Sequence, residues 1–134
     1  MTQVFTPSAQ ELNSIASKIL NCAFTVHREM GPGLLESVYD HCMIAEMRNQ
    51  GLQVLTDVPV PLYYKGEALD KDYVIDLLVE HEVVVELKAV EGILAVHQAQ
   101  LLSYLKLSNK RLGLLINFNV VLLKHGIKRL VNKL

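Results

Sequence analysis

The sequence predicts one α/β domain over residues 1–134, in which a mixed central β-sheet is flanked by α-helices. A chain of 134 residues fits a single domain, since domains average about 150 residues. Apolar residues recur at steps of three and four in three segments, and they alternate or run together in the segments between. The order is helix, helix, three strands, helix and strand, with no repeat or linker. This order is typical of a mixed α/β domain.

The first helix has clear signals at both ends. Ser8 fits an N-cap, and Glu11, three residues later, completes a capping box. Apolar residues at helical spacing carry the helix to about Glu29. Residues 31–33, Gly-Pro-Gly, end it.

A second helix is expected over residues 35–49, ended by Gly51. One set of residues at helical steps marks its buried face: Leu35, Val38, Cys42 and Ala45. Met43 and Met47 lie beside that stripe and widen it.

Strand periodicity then replaces helical periodicity. Residues 54–58 predict a strand that is ended by Pro59 and Pro61, with 62–64 continuing it briefly before a turn at 65–67. A hairpin follows, with strands at 73–79 and 83–87. A third helix is expected at 96–107 and a strongly apolar strand at 112–118. Residues 127–131 form a last short element of undetermined type.

The charge totals hide a strong segregation. Thirteen Lys and Arg against fourteen Asp and Glu give a net charge of −1, whereas proteins that bind nucleic acid usually carry a basic surplus. Eight of the acids lie in residues 67–91. Beyond residue 105 there is no acid, but seven basic residues: Lys106, Lys110, Arg111, Lys124, Lys128, Arg129 and Lys133. This pattern fits a metal site beside an anion-binding surface; the alternative is that the charges only solvate and pair on the surface.

A cytoplasmic protein without a membrane anchor is expected. No apolar run approaches the roughly 18 residues that a membrane span requires, and residues 1–7 lack the basic start of a signal peptide. Cys22 and Cys42 lie in helical patterns, which favours reduced, buried thiols.

The hairpin carries the strongest chemical signal. A three-residue turn at 80–82 would pair Val79 with Val83 and place Asp76 directly across from Glu86, with Lys88 on the same face as Glu86. Two facing carboxylates among apolar neighbours repel each other, and a divalent cation such as Mg²⁺ or Mn²⁺ would relieve that repulsion. The alternative is a half-exposed strand in which Lys88 pairs with Glu86.

Two helices could add polar groups to this hairpin. His97, Gln100 and Tyr104 form one stripe of the third helix, which could face the carboxylates or mark an ordinary boundary between core and solvent. Glu36 begins the second helix, where the helix dipole favours a carboxylate and a capping role is the simpler explanation.

Three motifs together resemble a known family. Residues 33–39, Gly-Leu-Leu-Glu-Ser-Val-Tyr, resemble the signature of the GxxExxY protein family. Asp76 followed by residues 86–88, Glu-Leu-Lys, resembles the core of the PD-(D/E)XK nuclease superfamily, although Ile75 stands where the superfamily name places proline. Residues 100–104 are similar to the Q-x-x-x-Y helix motif of some nuclease branches.

This resemblance implies a restriction-endonuclease-like core and a metal-dependent nuclease acting on DNA or RNA. It implies that Mg²⁺ or Mn²⁺ is bound by the side chains of Asp76, Glu86 and Glu36 and by the Leu87 carbonyl. Lys88 would position the attacking water and stabilise phosphate charge, since a metal and a cation both favour that chemistry. The remaining two residues of the site, Gln100 and Tyr104, would hold Lys88 or the scissile strand.

Two other functions remain open at this point. The chain could be a non-catalytic module that keeps the nuclease fold and binds nucleic acid or a protein partner. It could also form a homo-oligomer that assembles a composite groove, because 51% of its residues are hydrophobic, enough for an interface as well as a core.

Overall fold

The computed structural model describes residues 6–134. The expected absence of a signal peptide concerns residues 1–7, of which residues 1–5 lie outside the described residues. Within residues 6–134 the chain forms three α-helices and five strands, in the order α1 (Ala9–Met30), α2 (Glu36–Asn49), β1 (Val54–Tyr64), β2 (Glu67–Val79), β3 (Val83–Lys88), α3 (Ala95–Ser108), β4 (Leu112–Asn117) and β5 (Ile127–Val131).

The strands form one mixed sheet in the order β1-β2-β3-β4-β5. Strands β3 and β4 are parallel and are joined through α3, whereas all other neighbours are antiparallel. The expectation of a mixed sheet flanked by helices is therefore confirmed. The last element, left undetermined by the sequence, is the edge strand β5, which follows a short 3-10 turn at Leu123–Gly126.

Helices cover both faces of the sheet. One hydrophobic cluster joins α1 and α2 to the face that carries Val83, Val85 and Leu87. A smaller cluster joins α3 to the opposite face, which carries Val84 and Leu115. Side chains of β3 thus alternate between two buried layers, as a central strand requires. In residues 6–134 no helix is long and apolar enough to cross a membrane.

The predicted capping box of α1 is confirmed. The Ser8 hydroxyl oxygen accepts a hydrogen bond from the Glu11 amide at 3.1 Å, and the Glu11 carboxylate accepts one from the Ser8 amide at 3.5 Å. The helix ends at Gly31, whose φ of 69° lies in the region that favours glycine.

The main stripe predicted for the buried face of α2 is wrong, although Met43 and Met47 are buried as expected. Leu35 is 74% exposed and Ala45 is exposed, while the buried residues are Tyr39, Met43 and Met47. These three repeat at steps of four, so they lie on one face of the helix. Both stripes are apolar, and the sheet packs against the one that carries the aromatic ring.

Strand β1 does not end at its prolines, which corrects the sequence-based boundary. It continues from Val54 to Tyr64, with Pro59 opposite Val74 and Pro61 opposite Asp72. Because β1 is the edge strand of the sheet, a proline there can turn its missing donor toward solvent without breaking the ladder. The only irregularity in the pairing beyond residue 58 is a register shift between Pro61 and Tyr63.

The following hairpin is longer than the sequence indicates. A two-residue turn at Lys65 and Gly66, with φ values of 50° and 82°, pairs Tyr64 with Glu67. Positive φ at both turn residues matches the right-handed twist of the strands. Strand β2 therefore begins at Glu67, six residues before the boundary expected at residue 73. The sequence does not indicate this extension, because residues 67–72, Glu-Ala-Leu-Asp-Lys-Asp, do not alternate between apolar and polar.

Candidate active site

The candidate site lies where β2 and β3 stop pairing. Val79 is opposite Val83, as the turn predicts, and the ladder continues to Leu77 opposite Val85. It ends there, so the expected pairing of Asp76 with Glu86 as direct partners is not made. Beyond that point β2 pairs only with β1, and β3 only with β4. The two carboxylates therefore flank an opening in the sheet.

Glu86 is the most buried acid of this opening. Its side chain is 8% exposed, and the other side chains of its strand from 83 to 87 are apolar. Burial, and after it the nearby charge of Asp76, raises the pKa of Glu86 to about 7, and Lys88 opposes this increase. Glu36 and Asp40 of α2 add to the increase. Acids of both the sheet and α2 are therefore close enough to Glu86 to raise its pKa.

Asp40 is a member of this cluster that the sequence analysis missed. It is half-buried, and burial together with the charges of Glu36 and Asp76 raises its pKa to about 6. It lies four residues after Glu36, so the two carboxylates share one face of α2. That spacing was readable from the sequence and could have identified Asp40.

Asp57 is a second missed residue, and it distorts the edge of the sheet beside Asp76. The β1–β2 ladder passes from Thr56 opposite Leu77 to Val58 opposite Ile75, which leaves Asp57 and Asp76 at opposite positions with no pair between them. Asp57 has a φ of 53°, an uncommon conformation for which Asp is one of the better-suited residues. The pKa of Asp76 is raised by burial first and by the charge of Asp57 next.

The end of β3 is held by the loop that follows it. Lys88 is half-buried, and its carbonyl accepts a hydrogen bond from the Phe118 amide at 3.0 Å. Asn117, opposite Lys88 in the parallel ladder and 1% exposed, accepts a hydrogen bond from the Val90 amide at 3.1 Å and donates one to the Val90 carbonyl at 2.9 Å. These bonds hold the backbone at Lys88 and at Val90, two residues later.

The side chain of Leu87 is buried in the core, so Leu87 could contribute to the site only through its backbone. The side chain is 1% exposed and belongs to the cluster beneath α1 and α2. Its backbone is in register with Ile116 of β4, in the part of β3 that no longer pairs with β2.

Helix α3 contributes one of its three predicted residues to the site. The pKa of the Tyr104 hydroxyl is raised by burial and then by the charges of Glu86 and Asp76, so Tyr104 lies near both acids. Its ring packs edge-on against Tyr73 at 4.9 Å between centroids. His97 instead caps its own helix, since its Nδ1 accepts a hydrogen bond from the Leu94 amide. Gln100 is exposed, one turn before Tyr104 on the same face of α3.

Tyr39, the last residue of the 33–39 signature, is structural. It is fully buried and stacks on Phe118 with 4.6 Å between ring centroids. Its hydroxyl donates to the Gly31 carbonyl at 2.6 Å and accepts from the Leu34 amide at 3.1 Å. Tyr39 thereby holds the loop that leads into α2 and positions Glu36 at the start of that helix.

The acids fit a divalent cation by their chemistry, although they do not form a closed cage. Within residues 6–134 no three His, Cys, Asp or Glu side chains are gathered as a ready ligand set. Mg²⁺ commonly uses only one or two carboxylates and completes its shell with waters and substrate phosphates. Asp76 and Glu86 meet that requirement, and the pKa values of both are raised first by burial and then by neighbouring carboxylates.

The basic residues beyond 105 do not form one surface beside the site, which corrects the sequence-based interpretation. Lys110, Arg111 and Lys133 line a cavity with Glu82, at the turn end of β3. Because β3 and β4 are parallel, that end lies about 17 Å along the strand from Lys88. Arg111 also donates to the Pro7 carbonyl, and Arg129 donates to Asn13 at 2.7 Å.

The raised pKa of Glu86 predicts how stability depends on pH. A carboxyl group that binds its proton more tightly when folded stabilises the fold below its usual pKa, and this contribution is lost as the pH rises through the folded value of about 7. Without divalent metal, the free energy of unfolding should therefore fall between pH 5 and pH 8. Glu86→Gln should remove up to about 3 kcal/mol of that loss, at about 1.4 kcal/mol per pKa unit.

Urea unfolding at pH 5 and pH 8 in the presence of a chelator measures this slope. Glu91→Gln is the matched control, since Glu91 is exposed and lies five residues further along the chain. A slope that is the same in Glu86→Gln as in the control would contradict the assignment.

Comparison with known proteins adds one finding. A family model described as the PD-(D/E)XK nuclease superfamily matches residues 13–130, a range that includes every residue of the carboxylate opening. Searches of curated proteins and of solved structures give no significant match.

Proposed function

Because this chain belongs to the PD-(D/E)XK nuclease superfamily, we propose that it is a metal-dependent nuclease that hydrolyses the phosphodiester bonds of DNA or RNA. The observation that carries the proposal is the buried carboxyl group of Glu86, which lies where β2 and β3 separate. Its pKa is raised by burial and then by the nearby acids Asp76, Glu36 and Asp40, and it is lowered by Lys88. The signature at residues 33–39 supports placing the chain in the GxxExxY branch. Its two unpaired cysteines are compatible with a cytoplasmic setting.

In this proposal the acids hold Mg²⁺ or Mn²⁺. Asp76 and Glu86 supply the main ligands, with the Leu87 carbonyl and Glu36 as further donors. A divalent cation bound there lowers the pKa of water and neutralises charge on the phosphoryl oxygens. Asp40 and Asp57 were not part of the sequence-based set, and both add negative charge that favours cation binding.

Lys88 acts on the phosphate and the attacking water. Its positive charge lowers the pKa values of Asp76 and Glu86, and its carbonyl accepts a hydrogen bond from the Phe118 amide. A cation held in that position stabilises negative charge as it develops on the phosphate oxygens. Tyr104 would hold the Lys88 ammonium or the scissile strand through its hydroxyl, and Gln100 would reach the strand from the exposed side of α3.

The alternative function is a non-catalytic module that binds nucleic acid. The absence of a ready three-ligand set within residues 6–134 favours it. The charge of the opening opposes it, since Glu36, Asp40, Asp76 and Glu86 together would repel a phosphate unless a cation were bound. A homo-oligomer that completes the site remains a further proposal.

Cleavage assays separate these functions. The purified protein is incubated with single- and double-stranded DNA and RNA, with Mg²⁺, with Mn²⁺ and with a chelator. We expect cleavage that requires the metal, together with a metal-induced rise in melting temperature that Glu86→Gln removes. Binding without cleavage, and no metal-induced rise in melting temperature, would establish the non-catalytic alternative.

A further inference from the structure

A groove beside the candidate site is lined by apolar, aromatic and basic side chains. It has a volume of about 640 Å³, within the roughly 300–1,000 Å³ of small-ligand pockets. Three segments form its walls: the last turns of α1, the loop before α2 and residues 121–124 after β4. Its lining residues include the aromatic Phe24, the cations Arg28 and Lys124, and no acid.

Large apolar side chains are exposed at this groove. Phe24 is 36% exposed, Val121 is 85% exposed and Leu122 is 52% exposed. Isolated apolar side chains on a surface are ordinary, but neighbouring ones around a concave surface mark a binding site. The two cations at the same groove add a preference for a ligand that carries negative charge.

Hydrogen bonds and ring contacts link the walls of the groove. His27 of α1 hydrogen-bonds through Nε2 to the Val120 carbonyl at 2.8 Å. Tyr39 of α2 donates to the Gly31 carbonyl in the loop and stacks on Phe118, which precedes residues 121–124. These contacts fix the shape of the groove. Tyr39, which makes two of them, also holds the loop that leads to Glu36.

The groove adjoins the end of the sheet that carries the acids. Residues 121–124 follow Phe118, whose amide is bonded to the Lys88 carbonyl. Pro32 lines the groove, and Glu36 stands only four residues later. Four residues span at most about 14 Å, which corresponds to about four stacked nucleotides at about 3.4 Å each.

We propose that this groove binds the unpaired nucleotides of a single-stranded segment that continues from the scissile phosphate. This assignment rests on the proposed nuclease function. Phe24 provides the ring on which a base stacks, and Arg28 and Lys124 contact phosphates on either side of it. Single-strand sites combine these two elements, cations that follow the backbone and aromatic rings that stack on bases. Bases paired within a duplex are stacked inside it and cannot reach Phe24 without being extruded.

Fluorescence anisotropy with a labelled 15-nucleotide single strand tests this directly. The measurement uses the full chain with a chelator present, so that binding is observed without cleavage. The wild type should bind the single strand at least about fivefold more tightly than a duplex of equal length. The double variant Arg28→Ala/Lys124→Ala should bind about tenfold more weakly at low salt. It should also reduce the slope of log K against log salt by about 1.4, or about 0.7 for each lost phosphate contact.

The aromatic contact is tested separately. Phe24→Leu keeps an apolar side chain on α1 but removes the ring, and should weaken binding about fivefold without changing the salt slope. The matched control for the cations is Lys18→Ala/Lys133→Ala, which removes two exposed positive charges away from the groove. It should retain wild-type affinity to within about twofold.

Several outcomes would overturn the proposal. Equal weakening by the control and groove variants would show only a general charge effect. Equal wild-type affinity for the single strand and the duplex would remove the preference for unpaired bases. Light scattering that shows a dimer, dissociated by Val121→Asp, would assign the groove to a second copy of the chain. Tight single-strand binding without cleavage would contradict the proposed nuclease function but support the groove assignment. Normal cleavage together with unaltered binding by the groove variants would contradict the groove assignment but support the nuclease function.

Discussion

Asp76→Asn should lower the rate of metal-dependent phosphodiester cleavage by at least about a thousandfold. The substitution removes a carboxylate that faces the opening where β2 and β3 separate, and with it a principal ligand of the proposed cation. Metal-assisted charge stabilisation contributes several kcal/mol to a transition state, and about 4 kcal/mol corresponds to three orders of magnitude in rate.

The fold should survive this substitution. Asn has nearly the shape of Asp, and removing one negative charge relieves repulsion on Glu86 and Asp40. We therefore expect a melting temperature at or above that of the wild type in the presence of a chelator.

The matched control is Asp72→Asn, which makes the same change on the same strand at an exposed position opposite Pro61. It should cleave at the wild-type rate. Initial rates with Mn²⁺, for proteins purified in parallel, give the comparison. Cleavage by Asp76→Asn at the wild-type rate would show that the activity does not depend on the site at Asp76.

Tyr39→Ala should cause the largest loss of stability of any substitution near the site, about 3–5 kcal/mol in the free energy of unfolding. Tyr39 is fully buried, stacks on Phe118 and bonds to Gly31 and Leu34. Truncation would leave a cavity beneath α2 and release the loop that leads to Glu36. Urea unfolding at pH 7 measures the change.

Tyr39→Phe separates structure from chemistry. It keeps the stacked ring but leaves the Gly31 carbonyl and the Leu34 amide without their partner, which costs about 1–3 kcal/mol. Because Tyr39 is placed in the core rather than in the opening, cleavage by the folded Tyr39→Phe protein should stay within a few-fold of the wild type. A variant that is as stable as the wild type but inactive would indicate instead that the Tyr39 hydroxyl takes part in the reaction.

The sequence predicted the fold well because the turns and apolar periods that determine it are local. The three-residue turn at 80–82 was enough to establish the register of Val79 with Val83. The point at which β2 and β3 separate could not be predicted from the sequence, because it depends on the pairing of β2 with β1 and of β3 with β4. The face of α2 was misjudged for a related reason: only the folded sheet, with Phe118, selects Tyr39, Met43 and Met47 over the other stripe.

The sequence indicated three residues of the candidate site but not two neighbouring acids. Asp76, Glu86 and Lys88 follow from the hairpin pattern, and Asp40 was within reach as the residue one turn after Glu36. Asp57 could not have been identified from the sequence, because no neighbouring residue indicates that it adopts a positive φ in the proline-containing edge strand. The basic residues beyond 105 were grouped by sequence position, but the parallel crossover through α3 returns Lys110 and Arg111 to the far end of the sheet.

The most direct test of the metal site is a crystal structure of the protein soaked in Mn²⁺, with anomalous diffraction used to locate the ion. The account predicts a peak bonded to carboxylate oxygens of Asp76 and Glu86 at about 2.0–2.2 Å, the short distances of a small hard cation. In crystals of Asp76→Asn the peak should be lost or much reduced. A fully soaked wild-type crystal with no peak between these two residues, or with its only peak elsewhere on the surface, would contradict the central claim.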